Sequence, residues 1–303
     1  MIPDFFSGLF GGRNRVAVVT DSTACLDPKE AQRAGIYVVP LKVLIDDEEH
    51  LDGEIKAKDL VHALQSGARV TTSTPSPADF AKVYREARLA GAKEIVSIHL
   101  SEALSGTLRA AVIASGPTPI PVHVVDAKTI GWGLAAGALA GAAAAREGKP
   151  GEEVAAIAQA MARGSWARFL VDTLTFLRRG GRLSGSAAAL GTVLGVRPIL
   201  KIAEGHIEVD DRRASKRNAR SRLLTVAVAE IARRQEDGQR VAVTIHHLDS
   251  AAAAQSLLDD LALELGELGI EPDDDLTYRL RPLSSVVAAH VGPGILSVVI
   301  SDQ

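Results

Sequence analysis

Along the chain, short runs of β-branched and aliphatic residues alternate with longer stretches whose apolar positions recur at helical spacing. The first run, 15–20 (RVAVVT), reads as a strand closed by Asp21-Ser22-Thr23. Asp27-Pro28 then starts a helix, with Asp27 as cap and Pro28 in the first turn. Residues 36–45 read as a second strand and 46–52 as a hairpin with an acidic tip. A short helix over 58–65 stops before Gly67, and Pro77 or Ala78 opens another that runs through Leu89. Residues 94–100 (EIVSIHL) form a strand, 108–115 an Ala-rich helix, 122–126 a strand and 130–146 a helix. That alternation predicts a mostly parallel sheet with helices on both faces.

A helix over 150–163 leads out of this first half. In the second half, 169–172 is a strand, and 197–202 with 206–210 forms a hairpin about Glu204-Gly205. A helix runs on to Arg234. Strands at 241–245, 277–280 and 295–300, with a helix over 251–265, complete a second α/β unit. The expected division is therefore a mobile extension over 1–14, an α/β domain over 15–163 and a second over 164–303. The extension is apolar at Phe5, Phe6, Leu9 and Phe10 and basic only afterwards, at Arg13 and Arg15. A signal peptide has its charge first and a longer apolar core. No segment reaches the roughly 18–20 apolar residues that span a bilayer, so a cytoplasmic location is expected.

Composition narrows the function classes. A length of 303 residues suits two domains, each able to bury a core. Aromatic residues make up 4%, too few for base-stacking platforms, and a net charge of −3 gives no pull towards nucleic acid or anionic lipid. The single cysteine, Cys25, excludes an internal disulfide. With no basic neighbour to activate it, Cys25 reads as structural.

Candidate chemistry gathers where strands end, since open α/β sheets bind ligands beyond the carboxyl ends of their strands. Asp21-Ser22-Thr23, 101–107 (SEALSGT) and 126–129 all follow strands, and 71–76 precedes a helix that could close over them. In the central loop Ser105 and Thr107 offer hydroxyls, Gly106 lets backbone approach a ligand, and the following helix N-terminus favours an anion. Gly131-Trp132-Gly133 imitates a dinucleotide fingerprint but starts several residues beyond its strand. Gly133, Gly137 and Gly141 instead make a stripe for close helix packing. His246-His247 would point to opposite faces of a strand, so no metal site is expected. The basic run over 212–222 reads as a solvated face, with Arg213 as its candidate for an anionic ligand or partner. His290, just before Gly292-Pro293-Gly294, reads as a loop residue placed for a ligand. No G-x-x-x-x-G-K-[ST] occurs, so the chain has no recognisable ATP site of its own.

VVTDSTACL, TTSTPSP, IHLSEALSGT, DTLTFLRRGGRLSG and HVGPG resemble, in order and spacing, the motifs of the DegV family. The resemblance covers nearly everything after Arg15. It implies two α/β domains with a long-chain fatty acid held between them, and no cofactor. It also implies a partner: a dihydroxyacetone-kinase-like catalytic subunit that uses ATP to make an acyl phosphate. By position, Thr72, Ser73, Ser105, Gly106 and His290 would bind the carboxylate. Ser22, Ser101, Arg182 and Arg213 would lie near the head group or the partner face. The family's SSGLSGT reads SEALSGT here, which places Glu102 beside the expected anion site. Burying a dozen methylenes contributes on the order of 10 kcal/mol before the costs of binding, so the tail would supply affinity and the head group orientation. The alternative is a stand-alone enzyme acting on a small carboxylated or phosphorylated metabolite, with Ser105 or Ser22 as nucleophile and His290 or His99 as base. An anion-responsive regulator is a third reading.

Overall fold

The computed structural model describes residues 15–183, 197–271 and 276–303. The extension over 1–14 and the Ser184-Gly185 end of the GGRLSG stretch lie outside them. Strand β1 (Val16–Asp21) passes through one 3₁₀ turn (Ser22–Ala24) to α1 (Pro28–Ala34) and β2 (Ile36–Val39). Then come β3 (Lys42–Ile45), β4 (Glu48–Leu51), α2 (Ala57–Ser66) and β5 (Val70–Ser73). The first half closes with α3 (Pro77–Leu89), β6 (Glu94–His99), α4 (Thr107–Ser115), β7 (Val122–Asp126), α5 (Trp132–Arg146) and α6 (Gly151–Arg163). The second half opens with β8 (Trp166–Leu170), α7 (Thr175–Arg179), β9 (Arg197–Ala203) and β10 (His206–Arg213). It ends with α8 (Lys216–Glu236), β11 (Val241–His247), α9 (Ala251–Glu267), β12 (Leu276–Pro282), α10 (Ser285–Val291) and β13 (Leu296–Asp302).

The chain divides into two compact units, each described by itself. One takes the chain up to Lys42 together with Ser73–Arg163, the other Val43–Thr72 together with Gly164–Gln303. Residues 43–72, read from the sequence as part of the first half, thus fall with the second unit. The continuous strand expected over 36–45 is in fact two strands in different sheets. Pro40 has no N–H for a ladder, and the next amide, Leu41, donates to Ser22 Oγ at 3.0 Å instead.

In the first unit the sheet order is β2-β1-β6-β7, with every pairing parallel. All of β1 is buried, the near-continuous apolar run that a parallel strand covered on both faces requires. Its helices begin where local chemistry says they should. Asp27 caps α1 through Lys29 N–H, and Ser76 and Asp79 form a capping box at α3. The glycine stripe of α5 packs on α6. A Cβ on Gly137 would come within 2.7 Å of Ala158 O and 2.8 Å of Ala162 Cβ. Gly137→Ala is therefore expected to destabilise the protein by about 1–3 kcal/mol in urea unfolding, whereas a loosely packed pair would tolerate it.

In the second unit a small sheet has the order β4-β3-β5, and the main sheet has the order β10-β9-β8-β13-β11-β12. This main sheet is largely antiparallel; β11 and β12 run parallel, while β13 runs antiparallel to both β11 and β8. The β9–β10 hairpin turns at Glu204-Gly205 with φ of +46° and +82°, the two positive values of a tight hairpin turn. Strand β8 starts three residues before the expected 169. Its earlier residues are drawn in by pairing with β13 on one side and β9 on the other. Helix α8 buries Ala219, Leu223, Leu224, Ala227, Val228 and Ile231 against the sheet. On its basic face Lys216 pairs with Asp172, Arg220 with Asp260 and Arg222 with Asp211. Among the described residues no helix is long and apolar enough to cross a membrane.

Candidate functional site

In the first unit the polar loops after β1, β6 and β7 meet at the carboxyl edge of the sheet. Backbone bonds join them: Ala127 N–H donates to His99 O, Ser101 N–H to Thr129 O and Gly131 N–H to Thr23 O, each at 3.0 Å. Beneath lies a buried polar chain. Tyr84 donates to Ser97 Oγ (2.8 Å), which is 2.6 Å from His99 Nε2, and His99 Nδ1 is 3.0 Å from Asp21 Oδ2. Burial pushes the Tyr84 phenol up to about 12. Asp21 also accepts from Leu100 N–H at 3.0 Å, Thr23 N–H at 3.0 Å and the Thr23 hydroxyl at 2.5 Å. Its four acceptor positions are thereby filled, and they tie the end of β1 to the start of the 101–107 loop.

On that loop Ser105 Oγ lies 2.9 Å from Thr107 Oγ1 and accepts from Thr107 N–H at 3.3 Å. No side chain caps α4, whose cap position is Gly106, and a Cβ there would lie 3.8 Å from the Thr74 methyl. Ser101 is fully buried and its hydroxyl accepts from Ala103 N–H at 3.2 Å. Ser22 accepts from Leu41 N–H. Ser73 closes β5. Cys25 has φ +56° and its thiol donates to Thr23 O at 3.4 Å.

The second unit brings together two residues that stand 218 apart in sequence: Thr72 Oγ1 is 2.8 Å from His290 Nε2. His290 sits in the last turn of α10, not in a loop. The turn that re-aims the chain comes at Gly292, with φ +76°. Beside the pair is a cavity of about 200 Å³ lined by Thr72, His290, Arg179, Arg182 and the apolar Leu64, Phe176 and Ala289. Burial, and then the nearby Arg182 guanidinium, pushes the His290 imidazole down to about 4. At neutral pH the pair therefore offers uncharged hydrogen-bonding groups, with Arg69, Arg179 and Arg182 on the same cavity wall. Arg213 closes β10 and pairs with Asp211, which also takes Arg222.

Two supports of His290 have roles that the sequence does not show. Asp52, in the stretch read as an acidic hairpin tip, accepts from Ser285 N–H at 2.8 Å and from Ser285 Oγ at 2.6 Å. A carboxylate there fixes the N-terminus of α10 and complements its dipole. Gly180 has an ordinary φ of −74°, so it is not needed for backbone freedom. A Cβ on it would stand 2.4 Å from His290 Nδ1, which makes it a spacer for the ring. Gly292 leaves the same kind of room for Phe176, 2.2 Å from an added Cβ. Among the described residues no three His, Cys, Asp or Glu side chains gather as a metal site.

The family model described as "Uncharacterised protein, DegV family" matches residues 15–303. A DegV domain-containing protein of Streptomyces coelicolor is 40% identical over 289 residues, covering 95% of this chain and 99% of that protein. One from Deinococcus radiodurans is 33% identical, covering 94% of this chain and 98% of that protein. Among solved structures, a DegV family protein from Thermus thermophilus, described by its fatty acid binding, is 33% identical and superposes with a TM-score of 0.81. That match covers 95% of this chain and 100% of the other.

Proposed function

The chain belongs to the DegV family, and from that premise we propose that it binds a long-chain fatty acid and presents the carboxylate to a separate ATP-using kinase subunit. The observation that carries the binding reading is the Thr72–His290 pair on the wall of a cavity that also holds Phe176 and Leu64. With His290 Nε2–H donating to Thr72 Oγ1, the Thr72 hydroxyl would be free to orient a carboxylate as an uncharged donor, and Arg69 and Arg179 stand on the same cavity wall. Arg182 contributes a favourable field. The fatty acid binding described for the Thermus thermophilus relative supports the same ligand class. Ser73, Ser105 and Gly106 are proposed, on the family resemblance, as further carboxylate contacts. Arg213 is proposed for the partner face, and Ser22 and Ser101 as groups that shape the loops.

The stand-alone enzyme reading needs a base beside Ser105 or Ser22. The two rings bond other partners, His99 to Ser97 and Asp21 and His290 to Thr72, while Ser105 bonds Thr107 and Ser22 bonds Leu41 N–H. The geometry therefore favours a binding role. Mass spectrometry of lipid extracted from the purified, denatured protein is expected to find a long-chain fatty acid. The double variant Thr72→Ala/Ser105→Ala should retain less than about a tenth as much, since each hydrogen bond to a charged group is worth about 1.5–3 kcal/mol. Equal retention contradicts the head-group assignment. Acyl phosphate made from ATP by this chain alone contradicts the carrier role.

A further inference from the structure

The hydroxyl-rich loop after β6 carries an acid of its own. Glu102 stands three residues before Ser105, in a turn where Leu104 N–H and Ser105 N–H both donate to Ser101 O, at 3.0 and 3.2 Å. Three residues span at most about 11 Å even when extended. A carboxylate there acts on an anion at Ser105 across roughly one Debye length. The loop after β7 supplies its counter-charge: Lys128 Nζ lies 3.1 Å from Glu102 Oε1 and 2.7 Å from Asp126 Oδ2.

The seat of Lys128 is built. Its φ is +53°, a left-handed conformation that non-glycine residues adopt at a cost, and Asp126 Oδ1 holds it there by accepting Lys128 N–H at 2.9 Å. The bonds from Ser101 N–H to Thr129 O and from Ala127 N–H to His99 O fix this loop against the Glu102 loop. The Lys128 side chain is 24% exposed against 61% for Glu102, so the ammonium is the fixed member of the pair. Hydrogen bonding to Asp126 raises the Lys128 pKa further, which keeps it charged.

We infer that Lys128 sets the charge of the head-group loop: it neutralises and tethers Glu102, and so makes a loop with its own carboxylate acceptable to a fatty acid carboxylate. With Lys128 present, Glu102, Asp126 and Lys128 together carry one negative charge; without it they carry two. Lys128 is a positioning residue that acts through Glu102. This inference rests on the proposed fatty acid binding.

Delipidated full-length protein titrated with oleate at low and high salt tests it. At low salt Lys128→Ala should weaken binding about three- to tenfold, and Glu102→Gln should tighten it about twofold. The double variant should return to within about twofold of the unmodified protein, and all differences should shrink in about 0.5 M salt. A double variant as weak as Lys128→Ala, or a loss that ignores salt, overturns the inference and leaves Lys128 a mere structural clamp. Unchanged affinity in Lys128→Ala also overturns it. Should Lys128→Ala fail to fold, Glu102→Gln decides alone, since no tightening at low salt is the contrary result. Absence of oleate binding by the unmodified protein is a distinct outcome, which overturns the fatty acid reading itself.

Discussion

Asp21→Ala is expected to lower the free energy of unfolding by about 3–5 kcal/mol, a large share of what a protein of this kind possesses. The carboxylate is 0% exposed and receives two amides, a hydroxyl and an imidazole. Truncation leaves the amides of Thr23 and Leu100 and the His99 ring, all buried, without their acceptor. Each orphaned group costs about 1–3 kcal/mol. Asp21→Asn keeps one acceptor oxygen and should lose less. The midpoint of urea unfolding at constant slope measures both. A loss under about 1 kcal/mol for Asp21→Ala would mean that the buried chain from Tyr84 to Asp21 is not what joins β1 to the 101–107 loop.

Acid should destabilise the protein through His290. Its imidazole gains a proton near pH 6.5 in the unfolded chain but only near pH 4 when folded. Between those values the unfolded state binds the extra proton, so stability falls as pH drops through the window; above it, both states are neutral and nothing is lost. At about 1.4 kcal/mol per pH unit of that gap, His290 accounts for roughly 2–3 kcal/mol between pH 7 and pH 4.5. His246, fully buried on β11 and also pushed down to about 4, adds a loss of the same sign. Comparing unfolding at the two pH values in the unmodified protein and in His290→Gln isolates the first share. The variant should lose roughly 2–3 kcal/mol less on acidification. Equal losses would mean that the ring is open to water.

Much of the first unit was legible from local chemistry. Asp27-Pro28 and Pro77 mark helix starts because caps and first-turn prolines act locally, and the buried runs of β1 and β6 need both faces covered. The same holds for Glu204-Gly205, a turn written in its own two residues. What escaped was set by distant packing. His290 reads as a loop residue, yet it lies in α10, whose start is held both by the local cap Ser284, which accepts Val287 N–H, and by Asp52, more than two hundred residues earlier, which satisfies its first amide. The second sheet was expected only as another α/β unit. Its largely antiparallel order depends on β13 entering between β8 and β11, a long-range choice that no local pattern encodes. The residues assigned by resemblance fall in both units, and Thr72 and His290 are brought to hydrogen-bonding distance within one of them. Gly180 could be noticed as part of GGRLSG, but its purpose is visible only as the space it leaves for an imidazole. Glu102 reads as an acid beside an anion site, whereas its pairing with Lys128 is a contact between two loops that no local pattern encodes.

The central claim is that an acyl chain is bound and recognised by its acid head group. The most direct test is a calorimetric titration of delipidated protein with oleate and, separately, with the alcohol of the same chain. The account predicts saturable binding of one oleate per chain, at least about tenfold tighter than the alcohol, as hydrogen bonds to a charged oxygen require. Equal affinities, or no saturable binding of oleate, would contradict it.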